Sequence, residues 1–249
     1  MSALLLLAAA GFLAGTMNAV VGGGTFVTIP ALVWAGVPSV LANSSSTVAL
    51  FPGTLASTWA FREDFAPFGA VSIRGLLIVS VLGGLVGALL LLWTPTRTFD
   101  QLIPWLLLVA TLAFAFGREA GATLRRVIRI GPGTLLVAQF LLAIYGGYFG
   151  GGIGIMMMAA WSLLESVDLR AMSPARVLLV SAMNGIAVVC FIAAGAVLWP
   201  EALAILVSAV VGGYGGARIA RRIKPNHLRA VILALSSAMT LAFFLRAYS

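Results

Sequence analysis

Long apolar runs alternate with short polar or glycine-rich breaks along the whole chain. Runs such as LLIVSVLGGLVGALLLLW show none of the period-two alternation of a membrane strand. Several reach the roughly 20 residues that a helix needs to cross about 30 Å of hydrocarbon. The breaks predict apolar elements near 3–21, 25–36, 40–60, 71–93 and 101–117, then near 132–149, 153–165, 174–196, 199–218 and 227–246. The second and seventh are short. A dozen helical residues reach only about 18 Å.

The second five elements repeat the first five. A shift of about 128 or 129 positions lays GGG at 22–24 on GGG at 150–152. It also lays VLGGLVGA, from Val81, on VVGGYGGA, from Val210, and brings Thr47 onto Arg176. The predicted organisation is an N-terminal transmembrane repeat over 1–117, a polar cytoplasmic linker over 118–131, and a C-terminal transmembrane repeat over 132–249. The linker holds Arg118, Arg125, Arg126 and Arg129, and the last loop, 218–229, holds Arg218, Arg221, Arg222, Lys224 and Arg229. Arginine is retained on the cytoplasmic side. An odd number of crossings per unit then turns the two units head to foot. Inverted repeats with interrupted helices at matching places point to a secondary transporter with its site at the repeat interface.

Composition agrees. The 249 residues are 61% hydrophobic and 9% charged, with mean hydropathy +1.11. A soluble globule carries about a quarter charged residues. The fold class expected is an all-α polytopic membrane protein, with about eight long helices and two short broken ones. The net charge of +8 is confined to short loops without interleaved aromatics, so it describes topology and not a nucleic-acid partner. The apolar N-terminus lacks a basic residue ahead of it and reads poorly as a cleaved signal. The lone cysteine, Cys190, lies within an apolar run and makes no internal disulfide.

The glycine breaks carry the first candidate chemistry. Gly22, Gly23, Gly24 and Thr25 open the first short helix, and Gly150, Gly151 and Gly152 open the second. A helix that starts there exposes backbone N–H groups at the positive end of its dipole, which suits an anion. Close helix packing is the competing explanation, and it is preferred for Gly83, Gly87, Gly212 and Gly216. The run Asn43, Ser44, Ser45, Ser46, Thr47 begins the next apolar element. It is read either as an N-cap or as a row of ligand donors. Pro52 and Gly53 beyond it suit a cavity lining. Pro174 is read as the first helical residue, which puts Arg176 in the first turn, against the dipole. Arg176 then either snorkels to the interface or meets substrate. Asn18 and Asn184 are candidate ligands or interhelical bridges.

No Asp or Glu stands in the middle of a long element, so no carboxylate relay is evident. Glu165 and Asp168 read as solvated loop residues, and the single histidine, His227, lies in the basic loop. There is little material for a metal centre or a Ser/His protease. GGGIG lacks the preceding strand and following acid of a dinucleotide loop. No catalytic residue, metal or cofactor is expected, and the chain is not read as an enzyme.

Together GTMNAVVGGGTFVTIPAL, ANSSSTVALFPG with Phe61 and Arg62 after it, TP…F…PWLL from Thr94, YGGYFGGGIGI, and VLWP…GGYGGARIARRI resemble the sulfite exporter TauE/SafE family of membrane permeases. The resemblance covers nearly the whole chain. It implies transport of small sulfur-containing anions or carboxylates, such as sulfite and organosulfonates. Where members often carry Asn-Ala and a Lys before the sixth long helix, this chain reads Ser173, Pro174, Ala175, Arg176. The expected function is a permease or exporter in the cell inner membrane, working by alternating access, with a small anion and the lipid bilayer as partners. A homo-oligomer is left open. The alternatives are a transporter of a cation or neutral solute and a non-transporting membrane scaffold.

Overall fold

The computed structural model describes residues 2–20, 23–63, 71–127, 131–161, 169–220 and 225–248. They form α1 (Ser2–Val20), α2 (Thr25–Trp34), α3 (Ser39–Ala60), α4 (Ile73–Trp93), α5 (Thr96–Val127), α6 (Pro132–Tyr148), α7 (Ile153–Trp161), α8 (Leu169–Ala193), α9 (Trp199–Ala220) and α10 (Pro225–Tyr248). No strand occurs among the described residues. The segments Ile73–Trp93, Thr96–Gly117 and Pro174–Ala193 are each long and apolar enough to cross a membrane.

The surface has a membrane protein's character. Leu5, Ile78, Val137, Leu141, Val207 and Leu241 are all exposed by 60% or more, a cost that water would not permit at this density. Trp34, Trp59, Trp93 and Trp199 stand exposed at helix ends, where indole rings settle at bilayer interfaces. Trp161 is the exception, fully buried.

Helix pairing is reciprocal between the first five helices and the second five. α1 packs on α9 and α6 on α4; α3 packs on α8; α3 meets α9 and α8 meets α4; α5 lies on α10; α5 touches α7 and α10 touches α2. Exchanging the first five helices for the second five turns every one of these pairs into another on the same roster. The closest approaches recur too. A Cβ on Gly83 would stand 2.6 Å from the Phe140 carbonyl, and one on Gly212 would strike the carbonyl of Phe12. Gly87 meets the Ile144 carbonyl in the same way. These glycines let the helix backbones touch, as small residues do in bilayers. Gly216 lies in α9.

Three boundaries differ from those expected. α5 continues through the predicted linker to Val127, because REAGATLRRV is rich in good helix formers and has no breaker but one glycine. α8 begins at Leu169, so Pro174 is an interior residue. Arg176 is therefore two turns into the helix and not in its first turn, and the dipole argument for it falls away. α3 begins after Pro38 with no side-chain cap bond, so the run 43–47 lies inside the helix and the capping explanation does not hold. Pro52 and Gly53 lie on the exposed face of α3, with open space beside Gly53.

Candidate functional site

At the first break α1 ends at Val20 and α2 starts at Thr25. Gly22 lies outside the described residues, while Gly23 and Gly24 are buried and Thr25 is half-buried. The Phe26 amide turns back onto the Gly23 carbonyl at 3.1 Å, and the Val27 and Thr28 amides onto that of Gly24 at 3.0 and 3.1 Å. The Gly24 N–H donates to Asn18 Oδ1 at 2.8 Å. Asn18 thus caps the corner from the preceding helix. A Cβ on Gly24 would come within 3.0 Å of that amide and 2.9 Å of the Ala14 carbonyl.

The second break is built differently. α6 ends at Tyr148, and the Phe149 and Gly150 amides both return to the Tyr145 carbonyl. Gly150 and Gly152 have φ of +78° and +71°, while Gly151 between them does not have positive φ. Left-handed residues in alternation with ordinary ones turn successive amides toward one concave side. A side chain at Gly152 would be strained by that φ and would also press on Ala110 of α5, whose Cβ lies 3.1 Å away.

Counting donors and acceptors separates the two corners. The Gly152 carbonyl accepts from the Ile155 and Met156 amides at 3.1 and 3.3 Å. The Gly151 carbonyl accepts from the Tyr145 hydroxyl at 3.0 Å, and the Tyr148 carbonyl from Asn43 Nδ2 at 2.7 Å. The amides of Gly151, Gly152, Ile153 and Gly154 donate to nothing among the described residues. The first amides of any helix lack an intrahelical partner, but here Gly151, Gly152 and Ile153 are buried and Gly154 half-buried, where amides are nearly always paired, so the start of α7 is a corner short of acceptors. Arg176 completes it. Its Cδ and Nη1 lie 3.1 and 3.4 Å from where a Gly154 Cβ would stand, so the missing side chain is what lets the guanidinium approach α7. Arg176 makes no ion pair or hydrogen bond among the described residues.

One turn of α3 reaches both breaks. Asn43 is 1% exposed and holds the end of α6 through Tyr148. Three residues later, Ser46 Oγ meets Thr28 Oγ1 at 2.6 Å, and Thr28 in turn bonds the Gly24 carbonyl at 3.2 Å. Ser44 and Ser45 serve another purpose. Ser44 donates to the Ala196 carbonyl and Ser45 Oγ accepts from the Leu198 amide at 2.9 Å, which staples the turn between α8 and α9. Thr47 bonds back to the Asn43 carbonyl at 2.9 Å. Asn184 Oδ1 is buried without a partner among the described residues, as is Asn43 Oδ1.

The structure therefore gathers Gly150, Gly151, Gly152, Asn43 and Arg176 around the second break, and Asn18, Gly24 and Ser46 around the first. Three supports were not singled out in the sequence. Thr28, one helical turn after Gly24, could have been read from its spacing. Tyr145 stands one residue before the first of two Gly-Gly steps, a place that gives no hint of where its hydroxyl reaches. Gln139 is fully buried in α6, with Nε2 2.9 Å from Ser80 Oγ and Oε1 3.1 Å from Trp161 Nε1. This chain of bonds ties the far end of α7 to α6 and α4, and a lone amide in so apolar a run was its only signal.

Comparison with known proteins bears on what such a site serves. The profile of the family described as sulfite exporter TauE/SafE matches residues 7–243. A probable membrane transporter protein of Haemophilus influenzae is 28% identical over 238 residues, covering 92% of this chain and 90% of its own length. The probable membrane transporter protein YfcA of Escherichia coli K12 is 27% identical over 229 residues, covering 92% and 84%. The probable membrane transporter protein ORF9 of a Sinorhizobium species is 26% identical over 236 residues, covering 93% and 88%. No solved structure gives a significant match.

Proposed function

This chain belongs to the sulfite exporter TauE/SafE family and is a membrane transporter, not an enzyme; from that premise we propose that it carries a small oxygen-rich anion, a sulfite, organosulfonate or short carboxylate. The observation that carries this reading is the donor excess at the second break. Four consecutive amides lack acceptors among the described residues, the neighbouring Gly151 and Gly152 carbonyls are already taken, and a guanidinium lies against the same turn. Backbone donors at a helix start favour negative charge, and arginine's planar fork suits multi-oxygen anions.

The two units, 1–117 and 132–249 about the 118–131 segment, are inverted repeats, and the anion is exposed to each side in turn as one rocks against the other. Support comes from the reciprocal helix pairing and from interrupted helices at matching places. Both arginine-rich segments, 118–131 and 218–229, face the cytoplasm, and the protein sits in the inner membrane.

A second reading has one observation in its favour. The buried, unpartnered oxygens of Asn43 and Asn184 are acceptors, which suit a cation or a neutral solute with donors. Flux in proteoliposomes separates the two. Sulfite, sulfonates and carboxylates should move, and Arg176→Ala should raise their KM at least about tenfold. Movement of cations or neutral solutes alone, with Arg176→Ala unchanged, sinks the anion reading.

A further inference from the structure

The Tyr145 hydroxyl lies 3.0 Å from the Gly151 carbonyl and 3.1 Å from the Leu106 carbonyl of α5. Its single proton is shared between two acceptors, a three-centre bond. The hydroxyl does not cap α6, whose last turn is closed by the Phe149 and Gly150 amides returning to the Tyr145 carbonyl. Instead it reaches forward six residues, over the corner, and pins it to a third helix. The ring is braced edge-on against Phe149, with centroids 5.9 Å apart.

A peptide unit is planar and trans, so its C=O and N–H point in opposite directions. Holding the Gly151 carbonyl on Tyr145 and α5 therefore fixes the Gly152 N–H on the other side of the same plane. That amide is among the four without an acceptor. Glycine on both sides of the peptide would otherwise let the plane rotate, because glycine populates both signs of φ. Ala110, one turn along α5 from Leu106, closes the same corner by resting on Gly152. The first break needs no such device, since the Gly24 amide is occupied by Asn18 Oδ1.

We propose that Tyr145 is the positioning residue of the anion site: its hydroxyl sets the plane of the Gly151–Gly152 peptide and so aims the Gly152 N–H at the substrate. This rests on the anion reading above and assigns the second break as the half that grips. Tyr145 does not touch substrate. It supplies preorganisation, which a flexible glycine corner lacks by itself.

The test uses the full-length protein in proteoliposomes, with sulfite as probe. Tyr145→Phe removes the hydroxyl and keeps the ring. The sulfite KM should rise roughly five- to tenfold, the size of one lost hydrogen bond, with the maximal rate within twofold of wild type. Amide hydrogen exchange should quicken over 149–155 and not elsewhere. Tyr248→Phe, which deletes an exposed phenol hydroxyl at the far end of α10, should leave KM alone. Wild type that carries sulfite with Arg176 dependence, alongside Tyr145→Phe with unchanged KM, overturns the role of Tyr145 only. A loss confined to the maximal rate, with exchange raised throughout, makes Tyr145 merely structural and also overturns it. Wild type that moves no anion at all counts against the function itself.

Discussion

Thr111 Oγ1 and Thr240 Oγ1 meet at 3.2 Å between α5 and α10, and the two residues are 129 positions apart in the chain. That separation is the repeat period read from the glycine motifs. A bond between positions one repeat period apart is what the proposed pairing of the two units requires at their common axis. Thr240 also donates to the Ser236 carbonyl at 2.7 Å, which leaves its oxygen to accept from Thr111.

Cysteines at both positions, in a Cys190→Ser background, should form a disulfide on mild oxidation, since side-chain oxygens 3.2 Å apart show that the two side chains point at each other. The readout is loss of both free thiols. Thiols that remain reactive together would mean that the fifth helices of the two units do not pair.

Gly152→Ala places a side chain at φ +71° and against Ala110 Cβ at 3.1 Å. Left-handed backbone costs about 1–2 kcal/mol for a residue with a Cβ, enough to shift the corner without unfolding ten helices. Flux per inserted molecule should fall at least about tenfold. Gly131→Ala, where a Cβ meets nothing within 4 Å, is the control and should transport normally. Gly151→Val should behave like Gly152→Ala, because its Cβ would press on Phe149 Cε1 at 2.6 Å. At the first break Gly24 is the sensitive position. Gly23 would meet only the side chains of Phe26 and Met17, no nearer than 3.3 Å, so Gly24→Ala should impair flux more than Gly23→Ala. Equal activity across all of these variants would remove the breaks from the mechanism.

Gln139→Leu cuts the bonds to Ser80 and Trp161 in one step. Each buried bond is worth about 0.5–1.5 kcal/mol, somewhat less within a bilayer. Unfolding in detergent should move by about 1–2 kcal/mol, with the far end of α7 loosening first. An unchanged unfolding curve would show that this network does not anchor α7.

Single cysteines near Gly121 and Asn226, again without Cys190, should both react with an impermeant reagent only from the cytoplasmic side. Labelling of the two from opposite sides would break the inverted arrangement, because an even number of crossings must separate them.

Hydrophobic runs and breakers were enough to place the ten described helices, because a bilayer demands that each apolar segment satisfy its own backbone. The triplets at 22–24 and 150–152 marked both corners because three glycines in succession sum the low helix propensity that a single one, as at Gly83 or Gly212, does not make decisive. What the chain alone did not decide was what each polar side chain turns toward. Ser44 and Ser46 are equivalent letters in one run, yet one closes the α8–α9 turn and the other joins α2, since helical rotation points them at different neighbours. Two identical glycine triplets likewise diverge. Asn18 fills the donor of the first, while Tyr145 and Asn43 consume acceptors of the second. Local propensity ends at the backbone break; only the helices packed around it settle whether amides or carbonyls are left over, and hence which charge the corner welcomes.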